Sequence, residues 1–274
     1  MPDDGTTTPA IAADEIEAFW RDGIICLRGL IDGDAVAALR AEIERELAAP
    51  GPLKLDLTRG QRGRFYGNTF VCHHRPGFRD FVDNGPAAAV AARILRSRTA
   101  TLLFDQLLIK EPGTETPTPW HHDLPYWPVA GDQVCTVWIA LDPVTAESGA
   151  VEYIKGSHRW GRRYAPTAFV DDGLYKTDLP KMPDAARLRD GHAIAQFELA
   201  PGDCTVHHGL TIHGAPGNAR SDVRRRAYIQ RWCGDDVRWD PRPNIQPMLR
   251  DPGLAPGDPL PCGLFPQVWP RDAR

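Results

Sequence analysis

The chain has 274 residues, of which 42% are hydrophobic and 25% charged, and its formal net charge is −4 at pH 7. This length can bury a sizeable core, and the mildly acidic balance excludes nucleic acid or an anionic membrane as a partner recognised through bulk charge. No apolar run approaches the ~20 residues of a membrane-spanning helix, and the six scattered cysteines contain no C-x-x-C pair, so we expect a cytoplasmic protein with reduced thiols.

The N-terminal third is expected to be mostly helical. Residues 1–12 are polar and predict a disordered terminus. A short amphipathic helix is expected from Asp14, followed by an apolar strand at Ile24–Leu27. Residues 32–47 predict a second helix, because their apolar side chains recur at spacings of three and four. We assign 13–93 to a helical part of the domain.

Beyond about residue 94 the sequence favours β-structure. Short runs rich in β-branched and aromatic residues alternate with Gly, Pro and Asp clusters, at 100–109, 133–141, 150–154, 193–199, 204–208 and 227–232. Strands at this density predict a sandwich or a barrel. We expect a β core at about 94–240 and an irregular, Pro-rich tail at 241–274, with 13–274 forming one domain. Residues 161–190 predict a long loop between strands, and loops of this length are often functional.

The first chemical signal is an H-x-D motif. On a strand, His121 and Asp123 would point to the same side while His122 points away. Non-haem iron(II) oxygenases bind their metal through two histidines and one carboxylate on one face, which leaves positions open for substrate and oxygen. Taken alone, the motif is equally compatible with an ion pair at the end of a strand.

The second signal lies about 90 residues further on. A strand runs into a Gly- and Pro-rich turn with His213 near its end, and arginines at 224–226 then open another strand. His207 has the same alternation as His213 but lies about 20 Å away along an extended strand. We therefore expect that His207 does not bind the same metal.

Several motifs, in order, support a family resemblance. They read K-E-P-G at 110–113, W-H-H-D-L-P-Y-W at 120–127, W-I-A-L-D at 138–142, E-S-G at 147–149 and G-S-H at 156–158. Over roughly 14–240 the chain resembles the phytanoyl-CoA dioxygenase family. The resemblance implies a mainly β fold with flanking helices, a double-stranded β-helix of the jelly-roll, cupin-like kind. It also implies iron(II), 2-oxoglutarate and dioxygen, with release of succinate and carbon dioxide.

Carried onto this chain, the resemblance implies the metal ligands His121, Asp123 and His213. The arginine that binds 2-oxoglutarate in the family can be placed in two ways. Counting forward from His213 gives Arg224, and counting back from Ala227 gives Arg225. Strand alternation favours Arg225, which would share a face with Ala227. A planar guanidinium suits this role because it pairs with both oxygens of a carboxylate.

The remaining candidates line the expected pocket. Trp138 and Leu107 occupy positions that contact the co-substrate in the family, and a substrate pocket could include Tyr66, His122, Tyr126 and Trp232. We expect oxidation, most simply hydroxylation, of a C–H bond in a small molecule such as a natural-product intermediate. The alternatives are a non-catalytic jelly-roll binding protein and a zinc hydrolase using the same ligands. Nothing in the sequence indicates the oligomeric state.

Overall fold

The computed structural model describes residues 11–58, 60–167, 177–243 and 245–271, so the expected disorder of 1–12 falls mostly outside the described residues. Within them the α-helices are α1 (Ala13–Asp22), α2 (Gly33–Ala48), α3 (Pro76–Asn84), α4 (Ala87–Ile94) and α5 (Ala185–Gly191). Short 3-10 helices lie at Val71–His73, Leu124–Tyr126 and Ser157–Arg159. Four of the α-helices, α1 to α4, lie within 13–94, together with three short strands.

Strands make up most of the remaining regular structure. In chain order they are β1 (Ile24–Leu27), β2 (Lys54–Asp56), β3 (Phe65–Thr69), β4 (Ala100–Lys110), β5 (Thr118–His121), β6 (Val129–Ala130), β7 (Val134–Ala140), β8 (Glu152–Ile154), β9 (Ile194–Gln196), β10 (Cys204–His208), β11 (His213–Ala215), β12 (Arg225–Cys233), β13 (Arg238–Trp239) and β14 (Gln267–Trp269). The predicted strands of the core are all present, with bounds that differ by a few residues.

The strands form two antiparallel sheets that enclose the site, as in a jelly roll. The large sheet has the order β1-β10-β7-β12-β4-β3-β2, with β14 pairing with β4, and the small sheet has the order β5-β11-β8-β9. Several pairs of neighbouring strands, such as β1 with β10, β12 with β4 and β5 with β11, are far apart in the sequence, which is the double-stranded β-helix arrangement predicted above. A short β6–β13 pair lies apart from both sheets.

The outer face of the large sheet is covered by the N-terminal helices. Tyr228 and Trp232 point outward from β12 into a cluster that includes Phe19 of α1 and Ile43 of α2. Helix α2 is capped by Asp32, the residue before it, whose carboxylate accepts a hydrogen bond from the backbone of the first turn of the helix. The alternate residues of β12 point inward, so the inner face is free to form a site.

The C-terminal tail packs more tightly than its composition suggests. Its strand β14 extends the large sheet, and Leu260, Leu264 and Phe265 are buried in a second core cluster with Phe104 and Trp127. This cluster lies beside the end of the site, so the tail helps to build it.

Three other expectations concern the long loop, the cysteines and membrane-spanning helices. The predicted long loop at 161–190 contains α5, and its residues 168–176 lie outside the described residues. All six cysteines are within the described residues, where none is paired. No helix in the described ranges is long and apolar enough to cross a membrane.

Candidate metal centre and its cavity

The two chemical signals of the sequence meet across the small sheet. His121 ends β5 and His213 begins the neighbouring β11, where the two residues are directly paired. Asp123 follows two residues after His121. One ligand atom from each of the three lies within 4.8 Å of the others, and Asp123 Oδ1 is 3.5 Å from His121 Nε2. All three residues are buried.

The hydrogen bonds of the histidines orient their rings for metal binding. His121 Nδ1 lies 2.7 Å from the carbonyl oxygen of Pro119, and His213 Nδ1 lies 2.9 Å from that of Thr211. A carbonyl oxygen can only accept, so each Nδ1 carries a proton, and Nε2 is the nitrogen that can bind a metal. Burial, together with the neighbouring His121 and His207, lowers the pKa of His213 well below its usual value. His213 is therefore neutral, as a metal ligand must be.

The carboxylate of Asp123 is held by one of its oxygens. Oδ2 accepts hydrogen bonds from Thr136 Oγ1 at 2.7 Å and from His207 Nε2 at 3.2 Å. Burial raises the pKa of Asp123, but its contacts with His121 and His207 and the positive charge of Arg231 outweigh it, and the pKa lies well below its usual value. Asp123 is therefore ionised, and Oδ1 is left to bind a metal. Two histidine nitrogens and one anionic carboxylate oxygen fit a divalent iron.

His207 lies much closer to His213 than the sequence predicts, although it is not among the three residues whose ligand atoms converge. Its ring centroid lies only 4.4 Å from that of His213. The predicted separation of about 20 Å assumed one continuous strand. In the structure the chain leaves β10 of the large sheet after His208 and turns before it enters β11 of the small sheet. His207 and His213 thus face each other from opposite sheets.

The arginine strand places Arg225, and not Arg224, at the site. The Arg225 side chain is buried, and its Nε and Nη2 have no hydrogen-bond partner among the described residues. Its guanidinium carbon lies 5.6 Å from the ring centroid of Trp138. Burial lowers the pKa of Arg225 to about 10, so it stays charged at neutral pH. Arg224 points the other way and pairs with Glu111 and Glu44, at 2.8 and 2.7 Å.

The metal residues and Arg225 line one cavity of about 260 Å³ between the two sheets. Trp138 and Tyr126, both predicted pocket residues, also line it. Tyr126 donates a hydrogen bond to the backbone carbonyl of Thr167, 2.7 Å away. Thr167, in the predicted long loop, therefore lies next to the cavity wall.

Four other predicted pocket residues lie elsewhere. Leu107, Tyr66 and Trp232 are buried in the core beneath the helices, because their strands point them outward, and Leu108 takes the inward position instead. The Tyr66 hydroxyl is 3.3 Å from the buried carboxylate of Glu46. His122 points away from the cavity, and its Nε2 accepts a hydrogen bond from the backbone of Tyr164 at 2.9 Å. For these four residues the pocket assignment was wrong.

A jelly roll that brings two histidines, one aspartate and a buried arginine to one cavity defines the class of non-haem iron oxygenases that use an oxo-acid co-substrate. The chain belongs to the phytanoyl-CoA dioxygenase (PhyH) family, whose model matches residues 19–227. It is a non-haem iron, 2-oxoglutarate-dependent dioxygenase. Membership of this class excludes the two alternatives, a zinc hydrolase and a non-catalytic binding protein.

Relatives with known names are also dioxygenases. The multifunctional dioxygenase ausE of Aspergillus calidoustus is 27% identical over 235 residues, which cover 80% of this chain and 72% of that protein. The dioxygenase lolE1 of Epichloe uncinata is 24% identical and covers 89% of this chain and 88% of its own length.

Solved structures share the fold. The carbocyclase SnoK from nogalamycin biosynthesis superposes with a TM-score of 0.76 at 24% identity, covering 96% of this chain and 98% of that one. EctD from S. alaskensis, solved with 2-oxoglutarate and 5-hydroxyectoine, gives a TM-score of 0.69 at 20% identity, covering 88% and 83%.

Proposed function

We propose that the protein oxidises, most simply by hydroxylation, a C–H bond of a small organic molecule, with iron(II) bound by His121, Asp123 and His213 and 2-oxoglutarate bound by Arg225. The observation that carries the proposal is the shared cavity. It joins three converging ligand atoms to a buried arginine whose Nε and Nη2 have no partner in the described part of the chain.

Each residue has a separate task in this reaction. The three ligands would hold the metal at one side of the cavity and leave its other positions facing the open space. Arg225 would fix the distal carboxylate of 2-oxoglutarate through N–H groups that otherwise have no partner, and the Trp138 ring packs against its guanidinium. Bound iron, with 2-oxoglutarate and dioxygen, supplies the oxidising power, and succinate and carbon dioxide are released.

The cavity suits a small and partly apolar substrate. Its walls include Leu108, Tyr126, Trp127 and Ile229, and burial keeps water from the reacting centre. Its volume of about 260 Å³ lies below the usual range for drug-sized ligands, ~300–1,000 Å³. The named relatives support a natural-product intermediate, since SnoK acts in nogalamycin biosynthesis.

Binding of both groups can be tested without knowing the substrate. Iron(II) and 2-oxoglutarate are added anaerobically, and the weak visible charge-transfer band of the chelate is recorded. We expect the band in the parent protein, its loss in His121→Ala, and a weaker affinity for 2-oxoglutarate in Arg225→Gln. A folded, iron-loaded parent protein without the band would contradict the proposal.

Arg224→Gln is the matched control. It makes the same substitution at the neighbouring residue, whose guanidinium pairs with Glu44 and Glu111 outside the cavity. The affinity for 2-oxoglutarate should be unchanged. Equal losses in Arg224→Gln and Arg225→Gln would remove Arg225 from the proposal. Substrates can be identified separately, by screening for succinate release by the parent protein.

A further inference from the structure

A second buried arginine lines the cavity without a defined task. Arg231 lies six residues after Arg225 on the same inner face of β12 and is 7% exposed. Its Nη2 donates to Gln106 Oε1 at 2.5 Å, and its guanidinium carbon lies 4.6 Å from the ring centroid of Phe104. Its Nε and Nη1 are buried and have no hydrogen-bond partner in the described ranges.

The charge of Arg231 also has no direct counter-ion. Among the described residues, no carboxylate oxygen lies within 4.0 Å of its guanidinium nitrogens. Asp123 is the carboxylate with the largest influence on its pKa, but Thr136 and His207 already engage its Oδ2, and Oδ1 faces the other two metal residues. Asp105 has a smaller influence, and its Oδ2 already accepts hydrogen bonds from Tyr228 and the backbone of Cys72. Burial lowers the pKa of Arg231 only to about 10, so it remains charged. A buried charge of this kind is strongly unfavourable until it is paired.

The co-substrate proposed at Arg225 cannot also pair with Arg231. Six residues of extended strand separate the two backbone positions by about 20 Å, which exceeds the length of a five-carbon dicarboxylate. Arg231 sits at the far end of β12, opposite Thr136 of β7, whose hydroxyl holds Asp123. The two arginines therefore lie at opposite ends of the cavity wall, with the metal residues beside the Arg231 end.

The sum of charges in the cavity also leaves Arg231 without a counter-ion. A divalent metal, ionised Asp123 and doubly negative 2-oxoglutarate together carry one surplus negative charge, which Arg225 neutralises. Arg231 then remains as one positive charge without a counterpart. A ligand with a single negative charge would neutralise it and would use the N–H groups left unpaired.

We propose that Arg231, held in place by Gln106, binds a carboxylate of the substrate. The enzyme would thus select small monocarboxylate molecules and hold them at the end of the cavity opposite the co-substrate. The inference rests on the proposed function, because it assigns 2-oxoglutarate to Arg225.

Matched pairs of simple ligands test the inference. The protein is loaded with manganese(II), which fills the metal site without turnover, and is saturated with 2-oxoglutarate so that Arg225 is occupied. Propionate and benzoate are then titrated by calorimetry beside their neutral amides, propionamide and benzamide, at constant ionic strength in chloride. We expect at least one carboxylate to bind about ten-fold or more tightly than its amide.

Variants test whether the preference for carboxylates over amides depends on Arg231. Arg231→Gln should abolish it, Arg231→Lys should retain part of it, and Arg224→Gln should retain it in full. Equal binding of carboxylates and amides by the parent protein, including no binding of either, would overturn the inference, as would an unchanged preference in Arg231→Gln. If Arg231→Gln does not fold, the inference is tested by the comparison of carboxylates with amides in the parent protein and by the partial preference expected in Arg231→Lys.

Saturation with 2-oxoglutarate is measured first, so the two proposals fail separately. A parent protein that does not bind 2-oxoglutarate contradicts the proposed function. A parent protein that binds 2-oxoglutarate but does not distinguish carboxylates from amides contradicts only the role of Arg231.

Discussion

His207 lies behind the metal site and holds the carboxylate of Asp123. Its Nε2 donates to Asp123 Oδ2 at 3.2 Å, because a carboxylate oxygen can only accept. Partners of this kind orient the metal-binding carboxylate and are not ligands themselves. His207 therefore belongs to the metal site although it does not need to touch the metal.

We expect His207→Leu to weaken iron(II) binding by about 10–100-fold, because the carboxylate loses one of its two fixed donors. His207→Gln keeps an N–H donor and should restore much of the affinity. The measurement is anaerobic titration of the metal in competition with a chelator.

His208→Gln is the control for this series. His208 faces away from the metal, and its Nε2 lies 2.8 Å from the carbonyl oxygen of Asp132. The variant should bind iron(II) as the parent protein does. An unchanged affinity in His207→Leu would show that Thr136 alone is enough to hold Asp123.

The residues also show which parts of the site the sequence could predict. His121, Asp123 and Arg225 share faces with their neighbours by simple alternation along a strand, which is local information. His207, Leu107 and Tyr66 were misplaced for a different reason. Their surroundings depend on how the chain passes from one sheet to the other and on which sheet face the helices cover. No local pattern in a single sequence encodes either of these.

Among the elements, α1 is joined to the sheets by two buried histidines. His158 Nε2 donates to the carbonyl oxygen of Trp20, 3.1 Å away, and the rings of His158 and His208 are 5.2 Å apart. Helix α1 then ends at Gly23, whose φ of 79° is in the left-handed region that favours glycine. A Cβ at Gly23 would approach the His158 ring to 2.4 Å, so this junction is closely packed.

This junction should make the fold sensitive to acid. Burial, reinforced by the charge of His158, lowers the pKa of His208 from 6.5 to about 4. Between these values the unfolded chain holds a proton that the folded chain lacks, so stability decreases as the pH falls. The expected loss from His208 is up to about 1.4 kcal/mol per pH unit. Urea unfolding of the parent protein and His208→Gln from pH 7.5 to 5 measures it, and parallel curves would contradict it.

At the scale of the whole molecule, the C-terminal tail is part of the core. Phe265 is fully buried, with its ring 5.6 Å from that of Trp239, and shares a cluster with Phe104 and Trp127. The composition of the tail predicts irregular structure, and within its described residues the tail contains the short strand β14. Its burial was not predicted, because a Pro-rich segment has no periodicity from which a buried face can be read.

We expect Phe265→Ala to lower the free energy of unfolding by about 3–5 kcal/mol, through lost apolar contact and the cavity left behind. Leu254→Ala, in a partly buried side chain at the edge of the same cluster, should cost clearly less. Denaturant unfolding of both variants measures the difference. Equal and small losses would mean that the tail is only loosely attached.

The tail also supplies Gln246 and Pro247 to the cavity wall, and both lie beyond residues 19–227, the stretch that the family shares. The residues proposed to bind the metal and the co-substrate, by contrast, lie inside that stretch. A change of sequence at Gln246 or Pro247 would therefore alter the wall that a substrate meets and leave the residues proposed to bind the metal and the co-substrate as they are. Evolution can adjust the choice of substrate at this point of the chain while the proposed oxidising centre is inherited unchanged.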